Sequence, residues 1–303
     1  QMCIRDSFYG TLAAFGTFAV GFFARPLGGA IFGHIGDRIG RKKSLVITLL
    51  MMGTVTVLIG LLPTYASIGI WAPILLVLLR IVQGVAVGGE WGGAVLMAGE
   101  HSPDKSKRTF FASFAQLGSP AGLILSMLMF KLVTGLDDAA FLSWGWRVPF
   151  LFSAVLLAVG FVIRLSVNES PDFLEEKQAR AEKQKLPQHT KPERAPLAQV
   201  LTGAPKLLAM AVGANVLGIA GFYFTSTFMI AYTTQYVGLN RAVILDCLLV
   251  VSIMQFFITP LAAYIASRVG NLRFLAFTAL VSIFTPYAMF NLCLLYTSDA
   301  ADE

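Results

Sequence analysis

Long apolar runs dominate this chain and limit its fold more than any other feature. There are eight of them, at about 8–32, 44–63, 72–98, 109–132, 148–168, 203–230, 241–265 and 272–291. A helix needs roughly 20 apolar residues to cross the hydrocarbon core of a bilayer. Barrel strands alternate in polarity and are only about ten residues long, whereas these runs are continuous. The sequence therefore predicts an all-α membrane protein with about eight transmembrane helices.

The placement of charge predicts an orientation in the membrane. Only 13% of the residues are charged, against roughly 25% in a soluble domain, so the chain lacks the charge to cover a water-facing surface. The loops 34–43, 99–108, 164–206 and 268–273 hold 17 Lys and Arg residues, and the loops 64–71, 131–147 and 231–241 hold 3. The positive-inside rule puts the first set, with the central loop, in the cytoplasm. The net charge of +6 thus indicates orientation rather than a nucleic-acid partner.

The two ends differ in character from the rest of the chain. QMCIRDS and CLLYTSDAADE resemble translated adapter sequence, so residues 1–7 and 293–303 are expected to be non-native tails, with genuine polar termini as the alternative. If the tails are foreign, the gene is cut at both ends and eight spans are a minimum. The predicted domains between them are an N-terminal half at 8–168, a central loop at 169–202 and the start of a C-terminal half at 203–292.

An internal repeat relates the two sides of the polar stretch 168–201. A shift of 230 residues lays GHIGDRIGRKK, at 33–43, on AYIASRVGNLR, at 263–273, and four of the eleven positions match in type. Both segments follow a long span on the same predicted side. This agrees with two parallel six-helix repeats, of which the second has a degenerate motif.

GHIGDRIGRKK joins glycines to a dense cluster of charge between two spans. Glycine permits a tight turn and close helix approach, and the carboxylate of Asp37 can accept charge-assisted hydrogen bonds. The pattern closely resembles the loop signature of the major facilitator superfamily. That resemblance implies a conformational latch that grips the opposite half of a carrier in its outward-facing state. The latch residues are Gly33, Asp37, Arg38, Gly40, Arg41, Lys42 and Lys43. A simple positive-inside anchor is the alternative.

Two further loop segments extend the resemblance. AGEHSPDKSKR, at 98–108, and NESP, at 168–171, resemble the motifs that follow the fourth and sixth helices in the metabolite:proton symporter branch of that superfamily. We expect Glu100 to join the latch through an ion pair with Arg41 or Arg108. Ordinary solvated loop charge is the alternative.

Ionisable side chains inside the spans are candidates for transport chemistry, because in hydrocarbon they usually line a polar path or pair with each other. The segment RIVQGVAVGGEWGGA resembles the fourth-helix pattern of the same branch, and helical spacing directs Arg80, Gln83 and Glu90 toward one interior. Glu90 is the candidate for proton coupling, unless Arg80 or Arg25 neutralises it in a static ion pair. Asp246 is a second candidate, with a solvated interfacial position as its alternative.

The balance of charge in the spans suggests a carboxylate-bearing substrate. Arg25 and Arg80, set against Glu90, leave a net positive interior that suits a carboxylate. Pairing of Arg25 with an acidic residue on a missing helix is also open. The candidate cavity residues are Arg25, Arg80, Gln83, Asn215, Tyr223, Tyr232 and Gln255. Polar residues in spans otherwise link helices to each other.

Other chemistry finds no support in the sequence. The three cysteines lack metal or disulfide spacing, the three histidines fall in loops, and nucleotide-binding and serine-hydrolase motifs are absent. We therefore expect no enzyme activity, no metal and no cofactor.

The resemblance as a whole points to the shikimate-like subgroup of metabolite:proton symporters, with the visible spans as the second to ninth of twelve helices. It implies a monomer in the bilayer of the bacterial inner (plasma) membrane that imports a small organic acid or zwitterionic metabolite with protons by alternating access. A proton-independent facilitator or drug-efflux carrier, a channel and a non-transporting receptor are the alternatives. Shikimate, a dicarboxylate, citrate and a zwitterion such as betaine all stay open as substrates.

Overall fold

The chain is helical wherever the structure describes it. The computed structural model describes residues 2–104, 107–170, 173–175, 177–179, 203–223 and 241–299. These ranges contain no strand, which confirms the all-α class. The helices are α1 (Met2–Ile39), α2 (Arg41–Leu61), α3 (Tyr65–Ile68), α4 (Trp71–Glu100), α5 (Arg108–Gln116), α6 (Gly118–Thr134), α7 (Asp138–Ser143), α8 (Val148–Ser166), α9 (Pro205–Tyr223), α10 (Arg241–Val269) and α11 (Asn271–Asp299).

Several of these helices match the predicted spans. Five described segments are long and apolar enough to cross a membrane: Arg41–Leu61, Trp71–Glu100, Arg108–Val133, Gly145–Ser166 and Asp246–Val269. Shorter apolar helical stretches lie at Pro205–Ala214 and Asn271–Thr285. The backbone of residues 2–7 and 293–299 continues α1 and α11, and the foreign origin of the two tails stays a prediction.

The charged motif that the sequence predicts as a loop is helical almost throughout. α1 runs on to Ile39 and α2 begins at Arg41, so Gly40 alone separates them. The Gly40 N–H still donates to the Gly36 carbonyl at 3.1 Å, and the break comes from the Gly40 φ of +109°. That backbone region is open almost only to glycine. The predicted loop at 34–43 is therefore wrong, because nothing in the motif stops the helix before Gly40.

The same break recurs where the internal repeat predicts it. Gly270 separates α10 from α11 with a φ of +104°. Its N–H donates to the Ala266 carbonyl at 2.9 Å and its carbonyl accepts from Phe274 N at 3.1 Å. Gly40 makes the matching bonds, the second of them from Ser44 N at 3.2 Å. The segments at 33–43 and 263–273 thus match weakly in sequence but closely in backbone geometry.

The described residues fall into two compact units. The first comprises 1–115 with 128–197, and the second comprises 116–127 with 198–303. In the first unit α4 packs against both α1 and α2, and α2 also packs against α8. In the second unit α10 packs against α11.

Glycines bring α1 and α4 into direct backbone contact. A Cβ added at Gly84 would overlap the carbonyl oxygen of Gly21, and one added at Gly88 would overlap that of Arg25. A Cβ at Gly28 would in turn overlap a carbonyl oxygen of α4. The glycines of α4 therefore allow it to approach α1 closely.

Candidate functional site

One polar site lies where α2 begins and α4 ends. Arg41 is the first residue of α2 and Glu100 the last of α4, and their Nη1 and Oε1 atoms are 2.5 Å apart. The two side chains are only 16% and 9% exposed. Ser170 Oγ donates to the second carboxylate oxygen of Glu100. Of the two partners predicted for Glu100, the structure places Arg41 against it, and the pair is too buried to be ordinary loop charge.

Lys42 and Glu169 cap two helices reciprocally in the same region. Glu169 Oε1 accepts from the Lys42 backbone N–H at 3.0 Å, so a carboxylate from outside α2 satisfies a donor at its N-terminus. Lys42 Nζ donates to the Leu165 carbonyl at 2.7 Å, in the last turn of α8. We call Arg41, Lys42, Glu100, Glu169 and Ser170 the Arg41–Glu100 network. It joins the ends of α2, α4 and α8.

Gly40→Ala will weaken this network more than Gly270→Ala weakens its own surroundings. Both substitutions put a side chain at positive φ, which costs of order 1–3 kcal/mol. A Cβ at Gly40 would also overlap the Glu169 carboxylate, whereas no described atom lies within 4 Å of one at Gly270. Thermal unfolding in detergent should show the larger loss for Gly40→Ala. Equal losses would contradict a structural role for Glu169.

Of the other predicted latch residues, Gly33, Asp37, Arg38 and Lys43 take no part in this network among the residues that the structure describes. Arg38 and Lys43 are exposed, and a Cβ at Gly33 would meet no described atom within 4 Å. Asp37 is half-buried in the last turn of α1 and has no hydrogen-bond or ion-pair partner among the residues that the structure describes. Arg108 begins α5.

A second polar site links α4 to α8 inside the spans. Arg164 Nη2 lies 3.3 Å from Glu90 Oε1, with the side chains 22% and 24% exposed. The predicted static partners of Glu90, Arg80 or Arg25, are therefore wrong. Arg25 instead places its guanidinium over the Phe22 ring, 3.8 Å from the centroid. Sequence reasoning counted Arg164 as a loop charge, because it lies near the end of its apolar run.

A third polar site links α4 to α2. Arg80 Nη1 donates to Gln83 Oε1 at 2.8 Å, and Gln83 Nε2 donates to Thr56 Oγ1 at 3.1 Å. We call these three residues the Arg80 relay. Gln83 and Glu90, which spacing predicts to share an interior with Arg80, thus belong to separate sites, one against α2 and the other against α8.

The remaining candidates are spread through the second half of the chain. Asp246 and Gln255 are exposed on α10, and the Tyr223 ring lies edge-on to Phe222, with centroids 5.5 Å apart. Asn215 lies in α9, but its side chain falls outside the described residues, as does Tyr232 entirely. The described residues hold no group of three His, Cys, Asp or Glu side chains that could bind a metal ion.

Two of the residues in these sites carry no signal that singles them out in the sequence. Thr56 is one of several threonines in an apolar run, and its role depends on its rotation toward Gln83. Arg164 could have been found only by asking which basic residue near a span end can reach back to Glu90. Long Arg side chains reach in this way toward water or toward a partner.

Known transport proteins resemble this chain in sequence. It is 42% identical over 282 residues to the shikimate transporter of Escherichia coli (strain K12), a match covering 93% of this chain and 62% of that protein. It is also 42% identical over 284 residues to the inner membrane metabolite transport protein YhjE of the same strain, covering 92% and 62%. The chain therefore spans less than two thirds of the length of these relatives.

The fold has a match among solved structures. A proton:xylose symporter, XylE bound to 6-bromo-6-deoxy-D-glucose, gives a TM-score of 0.62 at 20% identity, covering 82% of this chain and 58% of that one. At this identity the likeness concerns the fold alone. The Major Facilitator Superfamily pattern itself matches residues 2–300. The match to the family pattern, together with the helical fold and the charged helix break at Gly40, shows that the chain belongs to the Major Facilitator Superfamily.

Proposed function

We propose that this chain is the central part of a secondary active transporter, the second to ninth of its twelve helices. The carrier sits in the bacterial inner membrane with its central loop in the cytoplasm. It imports a small organic acid or zwitterionic metabolite together with protons by alternating access. The names of the two matched relatives, one a shikimate transporter, support this class of substrate.

The partly buried Glu90–Arg164 pair is the observation that carries the proposal. An unpaired charge inside a membrane helix is costly, so each partner offsets the cost of the other. Protonation of Glu90 removes that attraction and leaves Arg164 without its counter-charge. The protonated and ionised forms therefore favour different packing of α4 near α8. A proton that binds one conformation better than the other shifts the population between them.

Asp37 supports the latch role of the motif. A carboxylate in the last turn of a helix meets the negative end of the helix dipole, which is unfavourable. Asp37 therefore does not stabilise α1 itself. Its role lies in a contact with a partner elsewhere in the full carrier. We assign that partner to the opposite half in the outward-facing state. The Arg41–Glu100 network holds the adjoining helix ends in place for this contact.

Asp37→Asn should slow turnover more than it weakens binding. The amide keeps the size of the side chain but loses the charge that strengthens a hydrogen bond across the latch, worth about 1.5–3 kcal/mol. We expect the maximal uptake rate to fall about tenfold while KM stays within about twofold of the wild-type value. Initial rates of uptake over a range of substrate concentrations measure both. A pure loss of affinity would contradict the latch.

Reconstituted transport tests the proposed function directly. The full-length carrier that contains residues 8–292 is placed in liposomes and given labelled shikimate, malate, citrate or glycine betaine under an imposed proton gradient. We expect saturable uptake of at least one compound, accumulation above equilibrium, and loss of that accumulation when a protonophore collapses the gradient.

The same assay separates the alternatives. Uptake that is unchanged by the protonophore favours a facilitator or an efflux carrier. Uptake that neither saturates nor shows counterflow exchange favours a channel. Binding of a labelled compound without any accumulation favours a receptor.

A further inference from the structure

The hydrogen-bond directions within the Arg80 relay show how Thr56 orients the Gln83 amide. The Thr56 hydroxyl donates its single proton to the Met52 carbonyl one turn earlier on α2, at 2.8 Å. Toward Gln83 the hydroxyl oxygen is therefore an acceptor. It receives Gln83 Nε2 at 3.1 Å, which turns the amide oxygen of Gln83 toward Arg80.

This arrangement selects one of the two orientations of the Gln83 amide. The flipped amide would set its NH₂ group against the Arg80 guanidinium and its oxygen against the Thr56 oxygen. Two donors would then face each other at one end, and two acceptors at the other. Thr56 thus fixes which end of the amide Arg80 meets, although Thr56 and Arg80 share no hydrogen bond in this chain of contacts.

The orientation matters because a guanidinium is a planar fork. The hydrogen bond from Arg80 Nη1 to Gln83 Oε1 restrains the orientation of the guanidinium and so the directions of its other N–H groups. A carboxylate binds such a fork best in its plane, through two parallel hydrogen bonds. Gln83 is a neutral acceptor, so its hydrogen bond orients the guanidinium and leaves the positive charge in place.

From this geometry we infer that Thr56 is a positioning residue for substrate binding, acting through Gln83 to orient Arg80 toward the carboxylate of the transported compound. The inference rests on the proposed function, since it requires a transported carboxylate. It adds a residue on α2 to a site whose charged group is on α4. Substrate affinity then depends on a hydroxyl that need not touch the substrate.

Thr56→Val tests the inference, because valine keeps the shape of the side chain and removes the hydroxyl. In liposomes holding the full-length carrier, with whichever of shikimate, malate, citrate or glycine betaine the wild type takes up as the probe, we expect KM to rise about tenfold. The maximal rate per folded carrier should stay within about twofold. Thr56→Ser, which restores the hydroxyl, should return KM to within about twofold of wild type.

Thr48→Val is the matched control on the same helix. Thr48 is fully buried, and its hydroxyl donates to the Leu45 carbonyl at 3.1 Å. It tests whether loss of any threonine hydroxyl from α2 raises KM. Gln83→Glu covers the case in which Thr56→Val fails to fold, because a glutamate against Arg80 competes with the substrate and should raise KM about a hundredfold.

Three results would overturn the inference alone, with wild-type transport intact. They are an unchanged KM in Thr56→Val, a serine variant as impaired as the valine variant, and an equal effect of Thr48→Val. In a Thr56→Val variant that does not fold, an unchanged KM in Gln83→Glu has the same meaning. Wild-type carrier that takes up none of the four carboxylates overturns the proposed function itself, and the inference with it.

Discussion

Gly88→Leu will leave little folded protein in the membrane. Even the first atom of the new side chain overlaps the backbone carbonyl of Arg25, which has no rotamer to move aside. α1 and α4 must separate along their length, and the neighbouring contact of Gly84 with Gly21 is lost with them. Overpacking a core typically costs about 1–3 kcal/mol, and a clash with backbone lies at or above the upper end of that range.

Gly92→Leu is the control for this prediction. Gly92 lies one turn further along α4, and no described atom falls within 4 Å of a Cβ at that position. Both variants add the same apolar surface to the same helix. Fluorescence-detected size exclusion of the tagged full-length carrier measures the folded amount. The prediction requires a loss of most of the monodisperse peak for Gly88→Leu and near wild-type yield for Gly92→Leu, so equal yields would refute the close packing of α1 on α4.

Glu90→Gln will abolish uphill accumulation while leaving exchange intact. Glutamine keeps the shape of the side chain and a hydrogen-bond acceptor for Arg164, but it cannot take up and release a proton. A gradient of one pH unit supplies about 1.4 kcal/mol per proton, enough for about tenfold accumulation. In Glu90→Gln the accumulation ratio should fall to about one, and counterflow should continue at a rate within about threefold of wild type.

Glu100→Gln is the matched carboxylate control on the same helix. It removes the charge that meets Arg41 at the end of α4, so we expect slower turnover with accumulation preserved. Arg164→Gln supplies the complementary test. It leaves Glu90 without its counter-charge inside the span, so we expect coupling to be lost as in Glu90→Gln. Unchanged accumulation in Glu90→Gln removes this residue from the proton path.

The fold was readable from the sequence because lipid imposes a simple rule. A continuous apolar run must be a helix, since every backbone group has to be satisfied within it. The rule says little about where such a helix ends in water, and so it missed the continuation of α1 to Ile39. There the end depends on the φ of a single glycine, Gly40, while Gly33 and Gly36 stay within the helix.

The sequence predicted residues of the candidate site only where a charged side chain lies inside an apolar span, because such a side chain is energetically unfavourable there. Glu90 and Arg80 stand out because charge inside a span needs a reason. Their partners do not stand out, because pairing depends on the rotation of one helix against another. Arg164 was hidden by its place near a span end, and Thr56 by the ordinary occurrence of threonine in apolar helices.

The two glycine breaks differ in how well they should tolerate an insertion. Gly40 and Gly270 bend the chain alike, but Glu169 crowds only the first of them. The two matching segments therefore differ in how well they tolerate mutation, because Glu169 crowds the Gly40 break and no described atom crowds the Gly270 break. An epitope or fluorophore for following this carrier in living cells belongs directly after Gly270, where exposed neighbours and a ready-made helix boundary leave room for it.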